Sequence, residues 1–200
     1  MHCLAKLFAV SSMLGLASCT TIRSHEEAAV AWSAPKQAAG RVLLLHQVHE
    51  VGDEATRQDK TQKVANAACE ALRSTFGAEV IDQDALPASV SLDDGWLQKS
   101  DYELVMAARE ADVQTLCLLD MKRCFGYLSI GFDPLPGWRI GSNISYHFRV
   151  LDVPTGKLLA DTRRMREASR WLALGVSQSC ADAFSADFRE LLEQPISKEQ

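Results

Sequence analysis

The chain has 200 residues, 47% of them hydrophobic, and its 26 Asp and Glu outweigh 21 Lys and Arg for a formal charge of −5. That length suits one globular domain with a modest core. The acidic balance argues against a nucleic-acid binder, which needs a basic face.

Met1 to Lys6 carries one lysine and no acid, Leu7 to Leu14 is a short apolar run, and Gly15, Ala17 and Ser18 put small residues before Cys19. This is the layout of a secretory signal, and its apolar core is too short for a membrane span, which needs about 20 residues. The tetrad Leu16-Ala17-Ser18-Cys19 resembles the bacterial lipoprotein signal, in which the cysteine thiol accepts a diacylglycerol and becomes the first mature residue. Cys19 is therefore the expected lipidation site and the link to the membrane, since several acyl chains anchor stably where one does not. Thr20 follows rather than Asp, which by the same resemblance implies sorting to the outer membrane. Loss of residues 1–18 removes Lys6 alone among the charges, leaving 20 basic against 26 acidic residues, a formal −6.

Residues 19–39 hold a Ser/Ala/Glu-rich stretch with Pro35 and no sustained period, which reads as a flexible tether. A single α/β domain is expected over 40–194, with a disordered tail at 195–200. Arg41 to Val48 is a continuous apolar run of strand length, suited to a strand covered on both faces. Val64, Ala65, Ala68, Cys69, Leu72 and Phe76 recur at helical spacing, and Gly77 is the stop signal. Ala78 to Asp82 is a short second strand, parallel to the first. Ser100-Asp-Tyr-Glu103 is a capping-box pattern opening a helix that ends near Ala111-Asp112. Val113 to Lys122 is a third strand.

Phe125 to Trp138 is rich in glycine, proline and aromatics and is expected to be irregular. Ile144, Tyr146, Phe148 and Val150 then alternate with Ser145, His147 and Arg149, the pattern of a half-buried strand. Asp152 to Lys157 is a tight turn, and Lys157 to Arg163 returns antiparallel. The last helix carries Val176, Cys180, Phe184, Phe188 and Leu191 on one face, with Asp187 placed mostly elsewhere. The expected fold is α/β: a mixed β-sheet of about five strands with packed helices, in the order β-α-β-α-β-β-β-α.

Beyond the anchor, Cys69, Cys117, Cys124 and Cys180 allow buried free thiols, a disulfide or a metal site, and the spacing does not choose among them. Cys117 and Cys124 lie seven apart, so in an uninterrupted strand they face opposite sides.

The order of elements, with "AREADVQTLCLLDMKR" and "SYHFRVLDVPTGKLLADTR", resembles a group of envelope lipoproteins built on the TolB N-terminal-domain-like fold, a superfamily that includes the lipoproteins of curli secretion and Pel export. The matching positions are Ala111-Asp112, Leu151-Asp152, Thr155-Gly156 and Leu158-Leu159, and the likeness runs from Arg41 to Leu192. It implies an envelope scaffold or export accessory, often an oligomeric ring, with no catalytic residues to carry over; the residues themselves lead to no expected metal or cofactor.

No G-x-S-x-G, P-loop, H-E-x-x-H or C-x-x-C is present. His46 and His49 form H-x-x-H, but three apart on a strand they point to opposite faces, and no shared metal is expected. Asp82/Asp84 and Asp93-Asp94 have the composition of acid pairs without a motif that fixes their geometry. The best candidate partner-binding surface is the aromatic segment, through Phe125, Tyr127, Phe132 and Trp138. Arg163, Arg164, Arg166 and Arg170 beside Trp171 read as a basic loop able to meet anionic polymer or lipid headgroups. The leading expectation is a membrane-anchored, non-catalytic accessory that binds envelope proteins or oligomerises. The alternatives are a periplasmic ligand- or glycan-binding protein, or a hydrolase using Asp93 and Asp94.

Overall fold

The computed structural model describes residues 20–30, 40–49, 54–83, 86, 95–131, 137–171 and 180–193. Cys19, Phe132, Asp84, Asp93, Asp94 and the two ends of the chain lie outside the described residues.

Six strands form one sheet: β1 (Thr20–Val30), β2 (Arg41–Val48), β3 (Glu79–Asp82), β4 (Thr115–Gly131), β5 (Gly137–Asp152) and β6 (Lys157–Trp171), in the spatial order β1-β6-β5-β4-β2-β3. β2 pairs in parallel with β3 and β4, and the other pairs are antiparallel. Among the described residues three α-helices pack on it: α1 (Glu54–Phe76), α2 (Asp101–Glu110) and α3 (Cys180–Glu193). From β2 onward the order is the expected β-α-β-α-β-β-β-α.

β2 has apolar side chains on both faces because it is covered on both. Val42 and Leu44 join Ala68, Leu72, Phe184 and Phe188 under α1 and α3, while Leu43 and Leu45 join Trp96, Leu104, Val105 and Ala108 under α2. α2 starts on the capping box read from the sequence: Glu103 N donates to Ser100 Oγ, and Ser100 N donates to Glu103 Oε2 at 2.8 Å. It ends where Asp112 takes φ 53, a left-handed geometry that Asp tolerates better than most residues. In the Asp152–Lys157 turn, Gly156 takes φ 71 and Asp152 Oδ2 accepts from Thr155.

Three expectations are corrected. The stretch read as tether contributes β1, whose Thr20 to Val30 pairs with β6 from Arg170 to Asp161. β1 is an edge strand with residues 22 to 29 exposed on both faces, so nothing imposes a period-two pattern on its sequence. The segment from Phe125 to Trp138 is regular at both ends: β4 continues to Gly131 and β5 starts at Gly137, with Phe125 opposite Asn143 and Ile130 opposite Trp138. This arm stands clear of the helices, so its residues are chosen by cross-strand partners rather than by a core.

The third correction concerns the cysteines. A β-bulge between Met121 and Arg123 adds one residue to β4, so Cys117 and Cys124 share the α1/α3 face instead of opposing each other. Cys124 is thereby aimed at the first residue of α3, and Cys124 and Cys180 form a disulfide. Cys69 and Cys117 are buried free thiols.

Candidate functional site on the open face of the arm

Strand alternation sorts the arginine-rich stretch of β6. Arg164 and Arg166 point to the α3 side, where Asp187 is fully buried. Asp187 accepts from Tyr146 Oη at 2.9 Å and from Arg166 Nη1 at 2.9 Å, and Arg164 Nη2 donates to Glu190 at 2.9 Å. Burial alone would pull the Arg164 guanidinium down, but Asp187, Tyr146, Glu26 and Glu190 outweigh it and hold the guanidinium above its ordinary value. Asp187 is thus no surface residue of α3. It lies three after Phe184 and four before Leu191, inside the apolar stripe, and that spacing is the signal that locates it. This network docks α3 on the sheet.

Arg163 points the other way, onto the face that α2 covers only in part. α2 packs over Leu43, Leu45, Leu116, Leu118 and Leu151. Beyond them the same face continues along the arm with Arg123 and Phe125 on β4, Asn143 and Ser145 on β5, and Arg163 and Met165 on β6, all of them partly or well exposed. Phe125 is 41% and Met165 43% exposed. β1 adds Arg23, opposite Glu167.

The middle strand of this face carries small side chains, Gly141, Asn143 and Ser145, between longer ones on β4 and β6. The result is a trough along β5. Its outer end is closed by Tyr127, whose ring lies across Gly141 and whose Oη donates to Glu167 Oε1 at 2.9 Å. Burial first, and then that bond, hold the Tyr127 hydroxyl above its ordinary value. The inner end is closed by His147, with Nε2 2.6 Å from Asp161 Oδ1. Beside the outer end a cavity of about 80 Å³ is lined by Arg23, Arg139, Glu167 and Ser169.

Of the four aromatic candidates, Phe125 and Tyr127 share this face, Trp138 is placed by its backbone pairing with Ile130, and Phe132 lies outside the described residues. Phe125 and Tyr127 lie on β4 and Trp138 on β5. His46 and His49 are likewise separated: His46 Nε2 lies 3.0 Å from Asp82 and His49 Nε2 lies 2.9 Å from Asp120. Among the described residues no three His, Cys, Asp or Glu side chains are placed to hold a metal ion, and no helix is long and apolar enough to cross a membrane. Sequence reasoning missed the trough because it exists only where β4, β5 and β6 lie side by side. Its one local signal is the glycine at 141, which a strand tolerates where something approaches closely.

No family model and no curated protein matches the chain. Among solved structures, it is similar to the PelC dodecamer from Paraburkholderia phytofirmans at 14% identity, covering 87% of this chain and 95% of that one with a TM-score of 0.43. It is similar to lipoprotein GNA1162 from Neisseria meningitidis at 10% identity, covering 78% and 99% with a TM-score of 0.46. The hypothetical protein CT253 from Chlamydia trachomatis shares 16% identity over 78% and 94%, with a TM-score of 0.45. Likenesses of this size bring no residue roles to the chain.

Proposed function

We propose that the chain is a lipoprotein held to the periplasmic face of the bacterial outer membrane through Cys19, where it acts as a non-catalytic accessory that binds envelope proteins or copies of itself. The observation that carries this reading is a register. Cys19 is bonded to Thr20, the first residue of β1, and Thr20 pairs with Arg170, which pairs with Ile140, which pairs with Leu128. An acyl anchor on Cys19 therefore belongs to the same end of the sheet as the free end of the β4–β5 arm. Leu128 is 62% and Ile22 53% exposed there, apolar surface that a bilayer interface would cover. The helices, the free edge of β3 and the Asp152–Lys157 turn are left at the other end and on the flanks for protein partners. A disulfide between Cys124 and Cys180 fits an oxidising compartment. Among the described residues His46 and His49 each face a separate aspartate and do not converge on one site.

The test is palmitate labelling and membrane fractionation of the full chain and of Cys19→Ser. The wild type is expected to take up label and sediment with outer membranes, and the variant to do neither. Equal labelling of the two chains would refute the anchor. In neutral detergent, light scattering and crosslinking of the full chain should show an oligomer or a captured envelope protein, and a partner-free monomer would refute the accessory role.

A further inference from the structure

The open trough along β5 has a definite charge and shape. Arg123 forms part of one wall and Arg163 of the other, and among the described residues neither makes an ion pair or side-chain hydrogen bond. Arg23, also without an ion pair among the described residues, joins Arg139, Glu167 and Ser169 in lining the cavity at the outer end. Against Arg123, Arg163 and Arg23 the same stretch of the face holds two carboxylates, Glu27 opposite Arg163 and Glu167 opposite Arg23. Arg123 has Ser145 rather than a carboxylate opposite it, so this stretch carries an excess of positive charge in a chain whose total is acidic.

Phe125 presents a partly exposed ring on the β4 wall. On the floor opposite it, Asn143 has a buried Oδ1 with no hydrogen-bond partner, and Ser145 follows one step inward. β4 and β6 stand two strand spacings apart, about 10 Å, which leaves room for a single sugar ring between the walls. An aromatic face, unpaired amide and hydroxyl groups, and arginines that meet carboxylates in bidentate fashion are the three contacts an acidic sugar requires.

We propose that this trough binds a single strand of an acidic, carboxylate-bearing glycan, running along β5 between the Tyr127–Glu167 bar and the His147–Asp161 pair. One sugar ring packs on Phe125. Its hydroxyls reach Asn143 and Ser145, and successive carboxylates meet Arg123 and Arg163. The proposal does not depend on the lipid anchor: the residues of the trough are fixed by strand register whether or not Cys19 is acylated.

The experiment titrates the full chain, in micelles of a neutral detergent, with a (1→4)-linked galacturonate octamer. A maltooligosaccharide of equal length and vesicles containing phosphatidylglycerol form the other arms. Saturable binding of the octamer is expected, weakening as salt rises, with no binding of the neutral sugar. The double variant Arg123→Ser/Arg163→Ser should lose at least about tenfold in affinity, as removal of charge-assisted contacts implies. Phe125→Ser should also weaken binding, and Cys19→Ser should bind as the wild type does. All three trough positions are exposed, and circular dichroism confirms the fold of each variant. No binding of the octamer at millimolar concentration, undiminished binding by the double variant, or binding to the vesicles alone would each overturn the proposal. Loss of membrane fractionation by Cys19→Ser with octamer binding intact separates this inference from the anchor.

Discussion

The hydroxyl of Tyr127 on β4 reaches the carboxylate of Glu167 on β6, 2.9 Å away, by passing over the strand between them at Gly141. A Cβ at position 141 would lie 2.5 Å from Tyr127 Cζ and 2.7 Å from the backbone oxygen of Ala168, distances at which the ring and β6 must both move. Gly141→Ala should therefore break the bar and destabilise the arm by about 1–3 kcal/mol. Tyr127→Phe keeps the ring in place and should cost less than ~1 kcal/mol. Chemical denaturation of the two variants checks the order, and equal losses would mean that the ring does not rest on the glycine.

Asp187 holds α3 to the sheet through Tyr146, Arg164 and Arg166. Removing one partner of a buried charge network leaves the others uncompensated, so Asp187→Ala should destabilise by about 3–5 kcal/mol. Glu190→Ala, on a carboxylate that is 44% exposed, should cost under ~1 kcal/mol. Urea midpoints of the two variants give the comparison.

Phe188 stacks on Phe184 with centroids 5.2 Å apart and meets Phe148 edge-on at 4.9 Å. It is fully buried, and Phe188→Ala should cost about 3–5 kcal/mol through the cavity it leaves. The loss should appear in equilibrium unfolding without change in the far-ultraviolet signature of the native state.

The disulfide between Cys124 and Cys180 closes a loop of 56 residues. Replacing both cysteines with alanine should lower stability by about 2–4 kcal/mol. Reductant should depress the midpoint of the wild type and leave that of the double variant unchanged.

Alkaline pH should unfold the protein through its buried acids. Burial, and secondarily Asp82, push the Cys69 thiol up to about 11 from an ordinary 9.0, and burial also raises Cys117 and Tyr146. Each group holds its proton more tightly folded than unfolded. Its contribution is complete below the unfolded value and drains away as pH rises through the folded one. Tm should hold steady to about pH 9 and then fall towards pH 11, with a gentler slope in Cys69→Ala. At neutral pH neither buried thiol should react with iodoacetamide until denaturant is added.

Where an element touches the core, its sequence announces it. Val42 to Leu45 read as a doubly covered strand, Ile144 to Val150 as a half-covered one, and Ser100 to Glu103 as a helix start, because burial and capping impose periods that a single chain segment carries by itself. Where an element touches only another strand, the sequence is silent. Arg23 to Glu27 has no period because neither face is packed, and the glycines of the arm look like loop residues until Asn143 and Phe125 are seen opposite each other. The bulge at Met121 and Arg123 is invisible in sequence, yet it decides which face Cys124 occupies. The trough belongs wholly to this second kind. Phe125 and Tyr127 are functional candidates in the sequence, but Ser145 reads as part of one strand's polar face, Arg163 as part of a basic loop, and Asn143 carries no signal of its own.

β1 comes first in the described chain and pairs with a strand that comes almost last. In a chain that crosses a membrane amino terminus first, Thr20 emerges long before Arg170, and the outer edge of the sheet cannot be laid down until translocation is nearly finished. Any modification of Cys19 would then be made while its neighbouring strand is still loose, on an open and accessible polymer. Assembly would be timed by the arrival of the last strand.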